Sequence, residues 1–269
     1  MEYCKIIPFD KILDIACVKA SGKYETVAAV KARTGADIVI NGPIFDMYTY
    51  EIEQSFVCNG VELGHADGLR GFRFDGGEAR IAWSGAGAQN FISEYGLLVV
   101  DGAVRCSVPA SAHVRRGRTA LGVTIADELV VYVVTDDESY AARKTGKQLA
   151  EKMKALGCVQ AINLDGGGSS QVADHTGAYH TGRYVPGFIC IWLKPGKQKE
   201  DDTMQVIATQ KVSTYDAKGN RESGRYIAKG DVCTIVRTIT DALLVEVEYP
   251  ISKGKRTAYV KSLDGFRLA

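Results

Sequence analysis

The sequence predicts an α+β fold: a mixed-sheet domain with helices, followed by a small SH3-like β-barrel. Short apolar runs separated by Asn-Gly and Asp-Gly pairs predict many hairpin strands. Two stretches carry apolar residues at helical spacing. A polar, charged segment from Lys194 to Asp202 has the composition of a linker. Residues 1–195 and 203–269 are therefore predicted to be separate domains.

The elements of the first domain follow one another in this order. Residues 4–18 alternate loosely and predict one or two strands, and Tyr24 to Arg33 has the spacing of a helix. A buried strand is predicted at residues 36–40, and hairpins at residues 52–104. Tyr140 to Leu156 reads as an amphipathic helix that Gly157 ends. Buried strands follow at Cys158 and within residues 183–193.

The second domain is predicted from strand count and length. Five short apolar segments lie between residues 203 and 262, separated by turns rich in Gly, Lys and Asp. That pattern is typical of a small barrel of the SH3 type. No constellation of catalytic residues is found in it.

Composition and charge narrow the class of protein. The chain has 269 residues and a net charge of +1, which gives no general attraction to nucleic acid or to a membrane surface. No run of about 18 apolar residues predicts a spanning helix. The first 20 residues lack the apolar core of a signal peptide. We therefore expect a protein that is cytoplasmic as made, or one that is associated with a virion or released by lysis.

The pattern of the seven cysteines does not predict a disulfide framework. They are odd in number, scattered, and mostly placed inside apolar runs, with no CxxC or Cys/His metal spacing. We expect buried thiols of a protein made in a reducing compartment.

Three places bring polar groups to the end of an apolar strand. The first is Asn41-Gly42-Pro43, which an aromatic segment with Asp46 and Glu51 follows. Aromatic faces pack on the apolar faces of pyranose rings, so Phe45, Tyr48 and Tyr50 could wall a sugar site. An ordinary turn and a loop packed on the core are the alternatives.

The second place is a cluster of arginines. Arg115, Arg116 and Arg118 precede an apolar strand, and guanidinium groups match phosphate geometry. A solvated basic turn explains Arg115 and Arg116 equally well. Arg118 is the better candidate because it is next to the strand.

The third place is the stretch from Cys158 to Gln171. A buried strand carries Asn163 and Asp165 on one face, because strand side chains alternate. Gly166, Gly167 and Gly168 then expose backbone N–H groups, and Ser169 and Ser170 add hydroxyls. This combination suits an oxyanion or a cluster of sugar hydroxyls. A glycine turn with a capping serine is the alternative.

Residues 1–195 resemble the phosphodiester glycosidase family, which contains N-acetylglucosamine-1-phosphodiester α-N-acetylglucosaminidase-like enzymes. Four segments carry the resemblance in order: Asn41 to Phe45, Arg118 to Gly122, Ala161 to Ser170, and Arg183 with Val185 and its strand. The third segment is a nearly literal match. Pro43 and Ile44 stand where the family has Gly and Phe, and Thr135 to Tyr140 lacks the usual glycine. Residues 203–269 separately resemble bacterial SH3-like domains, which often target cell-wall polymers.

The resemblance implies hydrolysis of a sugar-1-phosphate diester to a free sugar and a phosphomonoester. Such chemistry needs an anion clamp and a carboxylate near the anomeric carbon. Arg118 is the expected clamp, with help from Arg183 and the N–H groups of the glycines. Asp165 is the expected nucleophile or base, and Asp46 or Glu51 the second carboxylate. Sugar hydroxyls or phosphate oxygens would be held by Asn41, Thr119, Asn163, Ser169 and Ser170.

A second hypothesis is a non-catalytic binder of sugar phosphates or cell wall, derived from a phage, with the SH3-like part as an anchor. Turnover separates the two hypotheses. No cofactor is expected, with a divalent cation at Asp165 as the alternative. The expected partners are a sugar-phosphate or glycan substrate and, through residues 203–269, a cell-wall polymer. Nucleic acid and membranes are not expected partners.

Overall fold

The computed structural model describes residues 2–65, 70–107, 113–180, 182–194, 205–216, 218–239, 244–252, 254–262 and 265–268. The chain divides into two compact units, Met1–Pro195 and Gly196–Ala269. The predicted linker lies outside the described residues except for Lys194. Strands and α-helices are numbered below in chain order.

Three antiparallel sheets build the first unit. The first has six strands in the order β1 (Glu2–Pro8), β12 (Glu128–Val134), β11 (Arg118–Thr124), β13 (Cys158–Asn163), β9 (Gly96–Val100) and β10 (Ala103–Ser107). The second has five, in the order β15 (Gly177–Tyr179), β14 (Val172–Asp174), β3 (Ile38–Asn41), β16 (Gly187–Leu193) and β2 (Ile12–Lys19). The third also has five, in the order β5 (Val61–Gly64), β4 (Phe56–Cys58), β8 (Asn90–Ser93), β6 (Gly71–Asp75) and β7 (Glu78–Ala82).

Two short helices cover the outer faces of this unit. Helix α1 (Val27–Thr34) begins after Thr26, whose side chain accepts a hydrogen bond from the Ala29 N–H, and it ends at Gly35 with φ of 67°. Helix α2 (Gly146–Ala155) begins after a capping box between Thr145 and Gln148. The predicted helix starts at Tyr24 and Tyr140 were therefore too early, because both helices begin at their capping threonines.

The main core lies among the three sheets, where apolar side chains from all of them meet, including Ile15, Ile40, Phe56, Phe72 and Leu121. A second core lies between α2 and the first sheet, and a third lies between α1 and the second sheet. Burial on both faces explains why β3, β12 and β16 read as nearly continuous apolar runs.

The second unit is one antiparallel sheet of seven strands. Their order is β19 (Arg221–Ile227), β18 (Val212–Tyr215), β22 (Gly254–Val260), β21 (Leu244–Ile251), β20 (Val232–Ile239), β17 (Gln205–Ala208) and β23 (Phe266–Leu268). Its core includes Ile227, Cys233, Val247 and Val260.

The predicted α+β class is wrong, because the described chain is nearly all β and its paired strands are antiparallel. Tight turns are the physical reason. Asp101 and Gly102 both have positive φ, 50° and 73°, as a two-residue hairpin turn requires. Such turns return the chain as the antiparallel neighbour, so the sheets are not mixed and only two α-helices occur in the described residues.

The predicted SH3-like barrel is also wrong. The end strands β19 and β23 do not pair with each other in the described residues, so the sheet stays open. Both were missing from the five predicted strands. Strand β19 is charged and mostly exposed, as suits an edge strand, and it therefore lacks an apolar run.

All seven cysteines are free, and five of them are buried. The expectation that they form no disulfide framework therefore holds. No helix in the described part of the chain is long and apolar enough to cross a lipid bilayer.

The antiparallel order of the first sheet brings four chain segments to one edge. Strand β11 begins at Arg118, opposite the end of β12 at Val134. Strand β13 ends at Asn163, opposite Ala120 on one side and Gly96 at the start of β9 on the other. The residues just beyond these strand ends therefore face one another across the edge.

Candidate active site

A cavity of about 310 Å³ lies at this edge of the first sheet. Five charged side chains line it: Arg116, Arg118, Arg183, Asp136 and Asp165. The other lining residues are Ile44, Met47, Tyr95 and the three glycines that follow Asp165. Predicted site residues from two segments far apart in sequence, Arg118 and the Asp165 motif, therefore meet in one cavity.

Asp165 is partly exposed in the cavity, where burial raises the pKa of its carboxyl to about 6. Hydrogen bonds from the Ser169 hydroxyl and the Gly166 N–H, and the charge of Arg183, oppose that rise. The N–H of Gly166 donates to Oδ1 at 2.8 Å. Desolvation outweighs these interactions, so the carboxylate is a stronger base than a solvated aspartate.

Arg183 reaches the same group through Ser169. Its Nη1 donates to the Ser169 Oγ at 3.3 Å, and that hydroxyl hydrogen-bonds with Asp165. The guanidinium lies against Gly168, where an added Cβ would come within 2.8 Å of Cζ. Glycine at position 168 therefore leaves the space in which Arg183 approaches the motif.

Arg118 lines the cavity but is only 4% exposed. Its Nε donates to the Lys144 carbonyl and its Nη2 to the Val114 carbonyl, each at 3.1 Å. Burial, followed by the charge of Arg116, lowers the pKa of its guanidinium. Arg118 thus fixes two backbone segments beside the cavity while it adds positive charge to the cavity wall.

Arg116 gives the cavity a cation that the sequence analysis left undecided. Its side chain is exposed, and its guanidinium lies near Gly167. Its backbone forms a two-way bridge with Lys144, with N···O distances of 3.2 and 3.1 Å. This bridge fixes the backbone position of Arg116, so that its side chain can reach into the cavity.

The glycine turn is a short 3-10 helix, Gly167–Ser169, and Gly167 has φ of 60°. The Gly167 N–H donates to the Gly117 carbonyl at 2.8 Å. A Cβ at Gly117 would lie 2.6 Å from the Gly167 carbonyl oxygen. The glycine between the arginines is therefore required for the two loops to touch.

The Asn41 side chain links the ends of several strands by hydrogen bonds. Its Nδ2 donates to the Asp165 carbonyl at 2.8 Å, and its Oδ1 accepts from the Thr119 hydroxyl at 2.7 Å and the Gln171 N–H at 3.2 Å. Asn41 is 1% exposed and Thr119 is fully buried. These contacts favour a positioning role for both residues, which set the direction in which Asp165 points.

Asn163 and Ser170 are also buried, and their side-chain polar atoms make no hydrogen bond to other described residues. Neither lines the cavity. The structure thus places Asp165 and the glycines in the cavity lining, with Ser169 buried next to them in hydrogen bonds to Asp165 and Arg183, and it places Asn163 and Ser170 behind the site.

Asp46 and Glu51, the predicted second carboxylates, do not line this cavity. The Asp46 Oδ1 accepts from the N–H groups of Tyr48 and Thr49, both at 2.7 Å, and these bonds lower the pKa of its carboxyl. Glu51 lines a different cavity, with Lys23. Asp46 closes its own turn, which is the ordinary role of an aspartate at the start of a turn.

Asp136 is the second carboxylate that the structure brings to the cavity, and the sequence analysis missed it. It follows β12, and its Oδ1 accepts from the Gly117 N–H at 2.7 Å and lies 3.9 Å from the Nη1 of Arg143. Tyr95, just before β9, was missed too. Both residues lie within two positions of a strand at the edge where Asp165 and Arg118 lie, and only the pairing of the strands could have identified them.

No group of three His, Cys, Asp or Glu side chains able to hold a metal occurs among the described residues. The donors at the cavity are mainly the arginine cations, because the N–H groups of Gly166 and Gly167, which were expected to help bind an anion, already donate to the Asp165 carboxylate and the Gly117 carbonyl. Such a set fits an anion, and the guanidinium fork of arginine matches the geometry of phosphate and of carboxylate.

The model of the phosphodiester glycosidase family matches residues 34–192, which include every residue that lines the cavity. No sequence among the curated proteins matches the chain. The catalytic domain of zebrafish N-acetylglucosamine-1-phosphodiester α-N-acetylglucosaminidase, auto-inhibited by its pro-peptide, has a similar fold, with a TM-score of 0.56 and 16% identity over 72% of this chain and 84% of that one. A hypothetical protein from Synechocystis is similar with a TM-score of 0.52 and 12% identity, over 72% and 59%.

Proposed function

The chain belongs to the phosphodiester glycosidase family, and on this basis we propose that its strand-end cavity hydrolyses a sugar-1-phosphate diester to a free sugar and a phosphomonoester. One observation carries the proposal: Arg116, Arg118 and Arg183 line the same small cavity as the carboxylate of Asp165. A phosphodiester is an anion bonded to a sugar carbon, so its hydrolysis needs both kinds of group side by side.

The arginines act on the leaving group. When the bond between the anomeric carbon and the bridging oxygen breaks, its electron pair goes to that oxygen, and the phosphate gains a second negative charge. Fixed cations aimed at that charge stabilise the transition state more than the ground state. Arg116 and Arg183 are placed for direct contact with phosphate oxygens, and Arg118 strengthens the field from the wall.

Asp165 acts on the sugar. As a base, it takes a proton from the water that adds to the anomeric carbon. As a nucleophile, it forms a glycosyl ester that water then hydrolyses. Both routes give the same products, and both need the ionised carboxylate. A pKa of about 6 leaves Asp165 mostly ionised at neutral pH and close to the value at which a base is most effective.

The residues around Asp165 have different roles. Ser169 links Arg183 to Asp165 by hydrogen bonds, so the anion clamp and the carboxylate are held at a fixed separation. Asn41 and Thr119 hold the turn that carries both. Such preorganisation reduces the rearrangement needed when substrate binds.

The test is turnover of the full chain on a panel of sugar-1-phosphate diesters, with free reducing sugar and phosphomonoester measured together. Equal amounts of both products are expected from at least one diester. Tight binding of a diester without release of sugar would support the non-catalytic binder instead, and no binding and no release would overturn the proposal.

A further inference from the structure

The second unit contains a cavity of about 380 Å³ beside its edge strand β19. Three cations line it, together with one carboxylate and two serines: Lys211, Arg221, Arg225, Glu222, Ser213 and Ser223. All of its lining residues belong to the second unit, and none of them lines the candidate active site. The cavity therefore needs an explanation of its own.

A bulge in β19 forms one wall of this cavity. Ser213 of β18 pairs with Tyr226, whereas Tyr215, two positions further on, pairs with Arg221. The four residues between Arg221 and Tyr226 therefore lie opposite a single residue of β18. Gly224, within this bulge, has φ of 71°, which glycine adopts without strain. Bulges change the direction of side chains, and this one brings charged residues from several positions of β19 to one cavity.

Two of the cations form no ion pair with a carboxylate among the residues that the structure describes. The Nη2 of Arg221 donates to the Ser213 Oγ at 3.0 Å, and the Nζ of Lys211 lies 3.7 Å from the centre of the Tyr226 ring. These contacts hold the two side chains without neutralising their charges. A guanidinium has five N–H donors and an ammonium has three, so both groups keep donors for a ligand.

The carboxylate of Glu222 is already shared by two arginines. Its Oε1 accepts from the Nη1 of Arg225 and from the Nη2 of Arg256, both at 2.7 Å. The Glu222 side chain is 16% exposed, whereas that of Arg225 is 53% exposed. A ligand in the cavity therefore meets the cation more readily than the carboxylate. With three cations against one carboxylate, the lining carries an excess of two positive charges.

We propose that this cavity binds the phosphate group of a phosphate monoester. Such a group carries close to two negative charges at neutral pH, which balances the excess charge of the lining. Guanidinium forks match the geometry of its oxygens, and the two serines add hydroxyl donors. A carboxylate ligand has one charge and two oxygens, so it uses fewer of these donors. The second unit thus holds a phosphorylated ligand independently of the arginines beside Asp165.

Nuclear magnetic resonance of tyrosine rings tests this proposal on the full chain. Tyr226 lines this cavity and Tyr95 lines the active-site cavity, so their ring signals report on the two sites separately in one titration. Each signal is identified by its loss in the corresponding Phe variant. Inorganic phosphate at constant ionic strength should shift the Tyr226 signal to saturation, because phosphate that contacts Lys211 changes the electric field at the ring. Acetate should bind at least about tenfold more weakly.

Two alanine variants locate the binding. Arg221→Ala should raise the phosphate dissociation constant measured at Tyr226 by about tenfold, through loss of charge-assisted hydrogen bonds, and leave the titration curve of Tyr95 unchanged. Lys229→Ala is the matched control, since Lys229 is an exposed cation of the same unit that does not line the cavity. It should change neither curve. Arg221 is exposed, so its variant is expected to melt close to the parent protein.

The results that overturn the proposal are distinct from those of the turnover test. The proposal fails if phosphate shifts Tyr95 but not Tyr226, if acetate binds as tightly as phosphate, or if Arg221→Ala and Lys229→Ala have equal effects. A shift of Tyr226 that depends on Arg221 supports the site in the second unit whether or not any diester is hydrolysed.

Discussion

Two cavities lie at opposite edges of the six-stranded sheet, at the two ends of β11 and β13. The one beyond Val123 and Gln160 measures about 820 Å³, and the one beside Asp165 about 310 Å³. At the larger cavity, two of the lining carboxylates are paired at the surface: Glu78 with Arg80, and Asp75 with Arg73 at 3.0 Å. Exposed pairs of this kind contribute little energy. The lining as a whole carries more carboxylates than cations, with Asp10, Asp75, Glu78 and Asp127 against Arg80 and Lys194, and it therefore does not suit an anion.

The smaller cavity differs in how its charges are arranged. Three arginines converge there, beside a glycine turn that is held by hydrogen bonds from the Gly166 N–H to Asp165 and from the Gly167 N–H to the Gly117 carbonyl. This difference shows that cavity volume alone does not identify the candidate active site in this fold. Converging charge of one sign beside a desolvated carboxylate is the better criterion.

The largest expected effect sets Asp165 against Asp127, an aspartate of the larger cavity. Asp165→Asn keeps the shape and removes the carboxylate, and we expect turnover to fall about 10³-fold with ligand binding largely kept. Asp127→Asn makes the same chemical change at the other edge and should leave turnover within about twofold. Free sugar released per folded molecule is the measurement, and equal effects of the two changes would remove the distinction.

The arginines provide the next comparison. Arg116→Ala should lower kcat/KM by about 10- to 100-fold, since a hydrogen bond to a charged group contributes roughly 1.5–3 kcal/mol. Arg80→Ala, at the larger cavity, is the control and should change kcat/KM little. A loss that is similar for both would indicate a general effect of net charge on an anionic substrate.

Arg118 is buried and Arg116 is exposed, so the alanine variant of Arg118 should lose stability as well as activity. Arg118→Ala removes the side-chain donor to the Lys144 and Val114 carbonyls, although the Lys144 carbonyl keeps its bond from the Arg116 N–H. This loss should lower the melting temperature, and kcat/KM should fall by about 10- to 100-fold. Arg116→Ala should leave the melting temperature nearly unchanged. Thermal denaturation of both variants separates the wall residue from the exposed one.

Much of this arrangement was accessible from sequence, for a physical reason. Strand β13 and its motif combine a buried run, a carboxylate and three glycines within a few residues, so local pattern suffices. Arg118 could be placed beside it because both residues flank apolar strands. Asp136 and Tyr95 belong to the site only through the pairing of β12 with β11 and of β13 with β9, and no local pattern encodes that pairing.

Asp46 shows the opposite failure. An aspartate within an aromatic segment near a predicted site suggested catalysis, but its carboxylate is used by two backbone N–H groups of its own turn. The fold class failed for a different reason: tight turns such as Asp101-Gly102 make the paired strands antiparallel, and the described residues contain only two helices. Both helices are also shorter than their apolar spacing indicated, because each begins only after its capping threonine.

The pH dependence tests the burial of Asp165. Because its folded pKa is raised to about 6 from 3.8, kcat/KM should fall as pH drops below 6, by about tenfold at pH 5. The free energy of unfolding should change with pH in the opposite direction. The folded state holds the Asp165 proton more tightly than the unfolded state does. The protonated carboxyl therefore adds up to about 3 kcal/mol to the free energy of unfolding below about pH 4, and this contribution is lost as the pH rises to 6.

Asp165→Asn should therefore be more stable than the parent above pH 6 and about equal to it near pH 4. Urea denaturation of both proteins at several pH values measures the difference. A gap that does not change between pH 4 and 7 would mean that the carboxyl has an ordinary pKa in the folded protein.

The smallest effect is expected at the loop carboxylates. Glu51→Gln should change turnover by less than about twofold, because Glu51 lies in a separate cavity. Asp46→Asn should act on the loop through a weaker turn, with a modest loss of stability. A loss of turnover near that of Asp165→Asn in either variant would return a second catalytic role to this loop.

The most direct measurement is a crystal structure of Asp165→Asn soaked with a sugar-1-phosphate diester that the parent protein hydrolyses. We expect intact diester in the smaller cavity, with its phosphate on Arg116 and Arg183 and its anomeric carbon beside position 165. Diester bound in the larger cavity, or bound with its phosphate away from the arginines, would contradict the account.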